Sequence, residues 1–96
     1  MKAKLVYWHK ARLQGRYILE WKIHQVGKSR KYVDGIKYGL ILLDELSGRR
    51  VLMDNHHPKG PHMHVDDEER PYRYVDENRL IKDFRELVLE CMGVKI

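Results

Sequence analysis

Residues 17–24 read Y-I-L-E-W-K-I-H, and this stretch determines the expected architecture. Its large apolar side chains Tyr17, Leu19, Trp21 and Ile23 recur at every second position. Successive side chains of a β-strand point to opposite faces, so this period directs one face to a core and the other to solvent. The stretch therefore predicts an antiparallel strand in a sheet that is covered on one side.

Four more segments on either side of this stretch have strand character. Residues 5–9 are rich in aromatic and branched side chains and predict a first strand. Residues 36–43 alternate like residues 17–24, but nearly all their side chains are apolar, which predicts a central strand covered on both faces. Residues 50–55 predict a fourth strand. Residues 71–75 predict a short fifth strand at an edge, because Pro71 cannot donate a ladder hydrogen bond.

The end of the sequence has the pattern of one amphipathic helix. Asp76 is a favourable N-cap residue, and Gly93 suits the position just after a helix. Between them the apolar residues follow helical spacing: Leu80, Ile81, Phe84, Leu87, Val88 and Cys91. One apolar helical stripe and one apolar sheet face make a two-layer domain. The sequence therefore predicts a single α+β domain over residues 1–96, an antiparallel β-meander of four to five strands packed against one C-terminal helix.

Composition limits the kinds of protein that this chain can be. Of its 96 residues 34% are charged, and no apolar run approaches the roughly 20 residues that a membrane helix needs. The single cysteine excludes an internal disulfide. We therefore expect no membrane association and a cytoplasmic location. Residues 1–64 carry 13 Lys and Arg against 5 Asp and Glu, a balance that favours a polyanion such as RNA as the partner.

Four of the six histidines lie in one short stretch of sequence. Residues 54–64 read D-N-H-H-P-K-G-P-H-M-H. Pro58, Gly60 and Pro61 are unfavourable in a helix interior or a central strand, so the whole stretch is expected to be a surface loop. Imidazole has its unperturbed pKa near neutral pH, so several imidazoles together can supply both a base and an acid.

These residue types favour cleavage of RNA without a metal. The reaction needs a base for the 2′-hydroxyl, an acid for the leaving 5′-oxygen, and fixed positive charge beside the phosphorus. We expect His62 and His64 to form the catalytic pair, with His57 as the alternative partner. Asp54 or Asn55 would orient an imidazole. Contacts to the nucleic acid are expected from Lys59, Arg70, Tyr72 and Arg73.

The same histidines leave a metal-dependent alternative open. His62 and His64 are two residues apart, so on an extended backbone both imidazoles point to the same side. With His56 or His57 they would give a three-nitrogen site for zinc or another divalent metal, with one coordination position open. Lys59 would oppose a cation there. We therefore expect no metal and no other cofactor, and keep the metal site as the alternative.

The histidine-rich stretch and the segments after it resemble the TumE-type toxins of bacterial and archaeal toxin–antitoxin systems. The resemblance covers roughly residues 36–85, and Met53 and Met63 depart from the family pattern, which usually has an aromatic and a basic residue there. It implies a toxin whose partner is a DNA-binding antitoxin. The residues that carry it are Asp54, Asn55, Lys59, Gly60, His62, His64, Glu69, Pro71, Tyr72, Leu80, Asp83 and Phe84.

The leading hypothesis from the sequence is a toxin-like protein that acts on RNA as a small, metal-independent endoribonuclease. The first alternative is a non-catalytic module that binds RNA or a protein, and the second is a histidine-ligated, metal-dependent nuclease. A homodimer is compatible with each of the three. The sequence does not identify the RNA target or which histidine is the acid.

Overall fold

Six antiparallel strands and one helix form the structure, a computed structural model that describes residues 4–96. Each strand pairs with its neighbour in sequence, so the strands lie in the sheet in chain order. The predicted α+β meander with one C-terminal helix is confirmed, but the predicted count of four to five strands is wrong because there are six. The elements are β1 (Lys4–Leu13), β2 (Tyr17–Gln25), β3 (Ile36–Asp44), β4 (Arg50–Asp54), β5 (His62–Val65), β6 (Glu68–Pro71) and α1 (Glu77–Met92).

Strand β5 lies inside the stretch that was expected to be loop. Its register places Met63 opposite Met53 and His62 opposite Asp54 of β4, so only residues 55–61 form a loop. Strand β6 pairs with β5 and ends at Pro71. The strand predicted at residues 71–75 is therefore misplaced, because residues 72–75 connect β6 to α1 instead of pairing in the sheet.

The hydrophobic core lies between α1 and one face of the sheet. Phe84 and Leu80 of α1 are fully buried, and the Phe84 ring meets Trp21 of β2 edge to face at 6.2 Å between centroids. Burial of a side chain of this size contributes about 1.5–3 kcal/mol relative to leaving it exposed. The strands supply the rest of this core: Tyr17, Leu19, Trp21, Ile23, Ile36, Tyr38, Leu40, Leu42, Val51, Met53 and Val65.

Both predicted ends of α1 are confirmed. The Asp76 carboxylate accepts a hydrogen bond from the Arg79 backbone N–H at 2.7 Å, and Gly93 has φ 68 with its N–H bonded to the Leu89 carbonyl. These contacts satisfy backbone groups that have no partner within the helix. Among residues 4–96, no helix is both long and apolar enough to cross a membrane.

A buried carboxylate joins the two hairpins at one end of the sheet. Asp44, at the end of β3, is 3% exposed and accepts two hydrogen bonds from the Arg16 guanidinium, each 2.8 Å long. Its oxygens also accept from the Ser47 hydroxyl and the Leu46 N–H. The Arg16 contact is the main reason that the pKa of Asp44 lies well below its usual value. The charge pair therefore ties the β1–β2 turn to the β3–β4 turn.

Candidate functional site

The helix covers one face of the sheet, and the opposite face is called the open face here. Strand register and alternation direct one set of side chains to it. The expectation that β3 is covered on both faces is wrong, because Ile41 and Leu43 point to the open face and are only partly buried. The polar side chains of the open face are Trp8, Lys10, Arg12, Glu20, Lys22, His24, Lys37, Arg50, Asp54, His62, His64 and Glu69.

His62 is held rigidly at the end of the sheet. Its side chain is buried, its Nδ1 lies 2.7 Å from the Gly60 carbonyl oxygen, and its Nε2 lies 3.0 Å from Asp54 Oδ1. A carbonyl oxygen can only accept, so the Gly60 contact requires a hydrogen on Nδ1. Both ring nitrogens are thus engaged by the protein, and the residue beside Nε2 is Asp54, one of the two residues expected to orient an imidazole. This geometry suits a positioning residue better than a group that exchanges protons with a substrate.

His64 and Glu69 lie beside His62 and are open to solvent. The His64 ring meets the His62 ring edge to face at 4.8 Å between centroids. His64 Nε2 is 3.9 Å from Glu69 Oε1 across the β5–β6 pair, and 23% of the His64 side chain is exposed. Ligand atoms of His62, His64 and Glu69 all lie within 4.8 Å of one another. We call Asp54, His62, His64 and Glu69 the histidine cluster.

Lys59 reaches from the loop to the histidine cluster. Its Nζ donates a hydrogen bond to Glu69 Oε1 at 2.9 Å, and this contact is the main reason that the pKa of Glu69 lies below its usual value. From the sequence, Lys59 is expected to bind phosphate, and Glu69 is not among the expected site residues. The available signal is the hairpin itself: once β5 and β6 are paired, Glu69 stands opposite His64.

Two other histidines of the stretch lie apart from the cluster. His56 and His57 are on the exposed part of the loop, and neither belongs to the group of close ligand atoms. The structure therefore does not bring His57 together with His62 and His64. A metal site with His56 or His57 as the third ligand does not match this arrangement. The third residue with a ligand atom close to His62 and His64 is Glu69.

Asn55 is buried and does not orient an imidazole. Its Oδ1 accepts from the Tyr38 N–H at 2.9 Å, and its Nδ2 donates to the Ile36 carbonyl at 2.7 Å. Strand β4 ends at Asp54, so the Asn55 side chain continues the pairing with β3 where the β4 backbone leaves the sheet. Its role is structural, and the expected orienting role for Asn55 is wrong.

Of the residues expected to bind nucleic acid, Lys59 and Arg70 line one depression, and Tyr72 and Arg73 lie outside it. Tyr72 packs against the core and donates its hydroxyl to Asp83 Oδ2 at 2.7 Å, and its pKa is raised by burial and by that contact. The ring is only partly exposed and its hydroxyl is engaged, which does not favour the expected stacking role of Tyr72. Arg70 pairs with Glu68 at 2.6 Å, and Arg73 is exposed on the connection to α1.

A depression of about 440 Å³ on the open face was not foreseen from the sequence. Gly39 lies where a side chain would otherwise fill it, and Ile41 and Leu52 form its apolar floor. An isolated glycine inside a strand often marks close approach of a ligand or another backbone, and this was the signal that could have indicated the site. The charged and polar groups at the rim are Glu20, Lys22, His24, Lys37, Asp54 and His56.

The histidine cluster lies between this depression and a second one. The second, of about 380 Å³, is lined by Lys59, Pro61, His62, Glu69, Arg70 and Pro71. Asp54 belongs to the rim of the first depression, and His62 and Glu69 belong to the lining of the second. A chain-like ligand that occupied both depressions would therefore pass the cluster.

Trp8 lies at the edge of the open face with 55% of its surface exposed. Its Nε1 donates to Glu20 Oε2 at 3.0 Å, and Lys22 Nζ lies 5.9 Å from the ring centroid. An aromatic ring beside a cation is the combination with which single-stranded nucleic acids are bound. Trp8 is thus placed as an accessible platform next to the rim of the first depression.

Comparisons with protein-family models, with curated proteins and with solved structures found no match to this chain. The similarity to TumE-type toxins remains a prediction from the sequence motif. Functional conclusions therefore come from the geometry of the open face.

Proposed function

We propose that the chain is a toxin-like protein that binds single-stranded RNA on the open face and cleaves it at the histidine cluster without a metal. The observation that carries this proposal is the position of His64 and Glu69. The two side chains are adjacent, open to solvent, and located between two depressions that have cations at their rims.

In the proposed reaction Glu69 is the general base and His64 is the general acid. The Glu69 carboxylate accepts the proton of the 2′-hydroxyl, and the 2′-oxygen attacks the phosphorus to form a 2′,3′-cyclic phosphate. The phosphorus–5′-oxygen bond breaks, and protonated His64 gives its proton to the leaving 5′-oxygen. Lys59 Nζ, already 2.9 Å from Glu69, places positive charge beside the phosphorus. In this proposal Glu69 is the base, and it replaces His62 as the partner of His64 in the acid–base pair.

His62 acts through His64 and not on the substrate. Its ring is fixed by Asp54 and the Gly60 carbonyl, and its edge-to-face contact limits the rotation of His64. Catalytic groups held by a rigid surrounding lose less entropy when the transition state forms. Asp54 and His62 are thus positioning residues.

Binding of the RNA uses the part of the open face that leads to the cluster. Lys22 and Lys37 at the rim of the first depression suit phosphates, and the apolar floor at Gly39 suits a base. Trp8 offers a ring on which a further base stacks. The depression over Gly39 shares only Asp54 with the histidine cluster, and Trp8 lies outside the cluster. Both features therefore also support the second candidate, a non-catalytic RNA-binding module.

Cleavage of a short labelled RNA in the presence of EDTA tests the proposal. Wild-type protein should cleave it, and Glu69→Gln and His64→Ala should each slow cleavage by about 10²–10⁴-fold. Glu68→Gln is the matched control, because Glu68 is an exposed carboxylate on the same strand that lies outside the cluster. DNA of the same sequence lacks the 2′-hydroxyl and should stay intact.

The outcomes separate the two candidates. If the RNA binds, with an affinity that falls as salt rises, but no product forms at any pH, the non-catalytic module is correct and the nuclease proposal is wrong. Equal cleavage rates for the wild type, Glu69→Gln and His64→Ala would also contradict the proposed roles. His57→Ala tests the alternative partner, and a large loss there would move the chemistry to the loop.

The toxin role rests on the resemblance and has its own test. Induced expression of the wild type should arrest growth, and expression of Glu69→Gln to the same level should not. Co-expression of a DNA-binding protein encoded next to this chain should relieve the arrest if the two form a toxin–antitoxin pair. Arrest by both variants would separate toxicity from the cleavage chemistry.

A further inference from the structure

We infer that His62, His64 and Glu69 form a binding site for one divalent transition-metal ion of the zinc type. Their ligand atoms lie within 4.8 Å of one another, and two imidazoles with one carboxylate make a donor set that such ions prefer. The inference on metal binding stands apart from the proposed function, because it depends only on these three side chains and their surroundings.

The sheet itself supplies the required arrangement. His62 and His64 are two residues apart on β5 and point to the same face, and Glu69 is the cross-strand partner of His64. Zinc binds nitrogen at about 2.0–2.1 Å, so two of its ligand atoms at a tetrahedral angle lie about 3.4 Å apart. The distance from His64 Nε2 to Glu69 Oε1 is 3.9 Å. Rotation of the Glu69 and His64 side chains toward the fixed His62 ring would bring the three ligand atoms to these distances.

The second observation is the contact behind His62. Ligating histidines usually donate the N–H of the other ring nitrogen to a carbonyl or carboxylate, which fixes the tautomer and the ring orientation. The Gly60 carbonyl, 2.7 Å from His62 Nδ1, has this position, so Nε2 can bind the ion once its contact with Asp54 is exchanged for the ion. Asp54 Oδ1, 3.0 Å from Nε2, adds negative charge beside it. The ring is held in place whether or not an ion is bound.

Lys59 is the group that opposes a cation at this place. Its side chain is 60% exposed and its only close ionic partner among residues 4–96 is Glu69, so it can turn into solvent when an ion arrives. An exposed ion pair of this kind contributes little to stability. Its loss therefore costs little compared with the free energy that metal coordination gains. Three protein ligands then leave one coordination position for water or an anion.

Metal binding has a consequence for the reaction, which depends on the proposed function being correct. A bound ion occupies the ring nitrogen of His64 and the carboxylate oxygen of Glu69. Neither can then transfer a proton, so zinc should inhibit cleavage of RNA, and EDTA should restore it.

Calorimetric titration of Zn²⁺ into the full chain, free of any affinity tag and of RNA, tests the site. We expect one ion per chain, with affinity at least about tenfold weaker for His64→Ala and for Glu69→Gln. Glu68→Gln is the matched control and should bind like the wild type. Circular dichroism and thermal unfolding of each variant establish that it is folded, and Co²⁺ absorption in the visible range gives a second readout of the ligand set.

Three outcomes would overturn the inference: no binding of Zn²⁺, equal binding by the wild type and folded Glu69→Gln, or loss of binding in His57→Ala with retention in Glu69→Gln. Failure of the proposed function gives a different result. In that case the wild type binds Zn²⁺ as described, while RNA stays uncleaved in EDTA.

Discussion

Replacement of Asn55 by alanine should destabilise the fold strongly, although Asn55 lies at the entrance of a loop. The Asn55 side chain is the partner of two backbone groups of β3, the Tyr38 N–H and the Ile36 carbonyl. Asn55 is 7% exposed, and water does not replace it freely at this depth. Leaving a buried backbone donor or acceptor without a partner costs about 1–3 kcal/mol per group.

The two lost contacts together give an expected loss of about 2–6 kcal/mol in the free energy of unfolding. For a domain of this size each kcal/mol corresponds to about 4–8 °C, so the melting temperature should fall by about 10–50 °C. Asn55→Asp keeps the acceptor for Tyr38 but sets a second oxygen against the Ile36 carbonyl. It should therefore be at least as destabilised as Asn55→Ala.

Urea denaturation followed by circular dichroism measures these differences. Asn78→Ala is the matched control, because Asn78 is exposed on α1 and alanine is the better helix former. The reasoning is refuted if Asn55→Ala unfolds within about 0.5 kcal/mol of the wild type, the range of an ordinary surface substitution. That result would mean that the loop rearranges to supply other partners for β3.

Three more predictions concern the open face and the buried carboxylate. Gly39→Val should keep the fold, because an added Cβ meets no atom within 4 Å. The valine fills the depression, so RNA binding measured in a filter-binding assay should weaken about fivefold or more. Unchanged affinity would mean that RNA does not bind in the depression. Replacing Lys22 and Lys37 by alanine should lower the slope of log affinity against log salt by about 1.4, and an unchanged slope would mean that neither lysine contacts phosphate. Asp44 has a lowered pKa in the fold, so its stabilising effect is present above its unfolded pKa of about 3.9 and is lost as the pH falls below it. Urea midpoints measured between about pH 6 and pH 3 should therefore fall less steeply for Asp44→Asn than for the wild type, and equal slopes would contradict this.

The sequence predicts those parts of the fold in which local pattern and tertiary structure agree. The alternation at residues 17–24 and the capped helical stripe after Asp76 both appear in the structure as expected. Strand β5 was missed because its two histidines and a proline-rich approach resemble a loop. Only the register against β4 makes it a strand, and register between segments cannot be read from the segment itself.

The sequence predicts His62, His64, Asp54 and Lys59 for the site, whereas the structure leaves the predicted His57 apart and adds Glu69. His64 lies at the site, and His62 and Asp54 are adjacent as expected. Glu69 was not singled out because a cross-strand contact brings it to His64, and Asn55 was misjudged because its side chain takes the place of a strand backbone. Gly39 inside a strand indicates a close approach, but which side chains surround the depression becomes known only from the register of the neighbouring strands.

The order of the strands has a consequence for how the protein is made. Every pairing joins consecutive segments, so hairpins can form one after another as the ribosome releases the chain. The helix that covers the apolar face is synthesised after all six strands. A nascent sheet therefore exposes its apolar face until residues 77–92 emerge. During this interval aggregation or binding to a chaperone competes with folding.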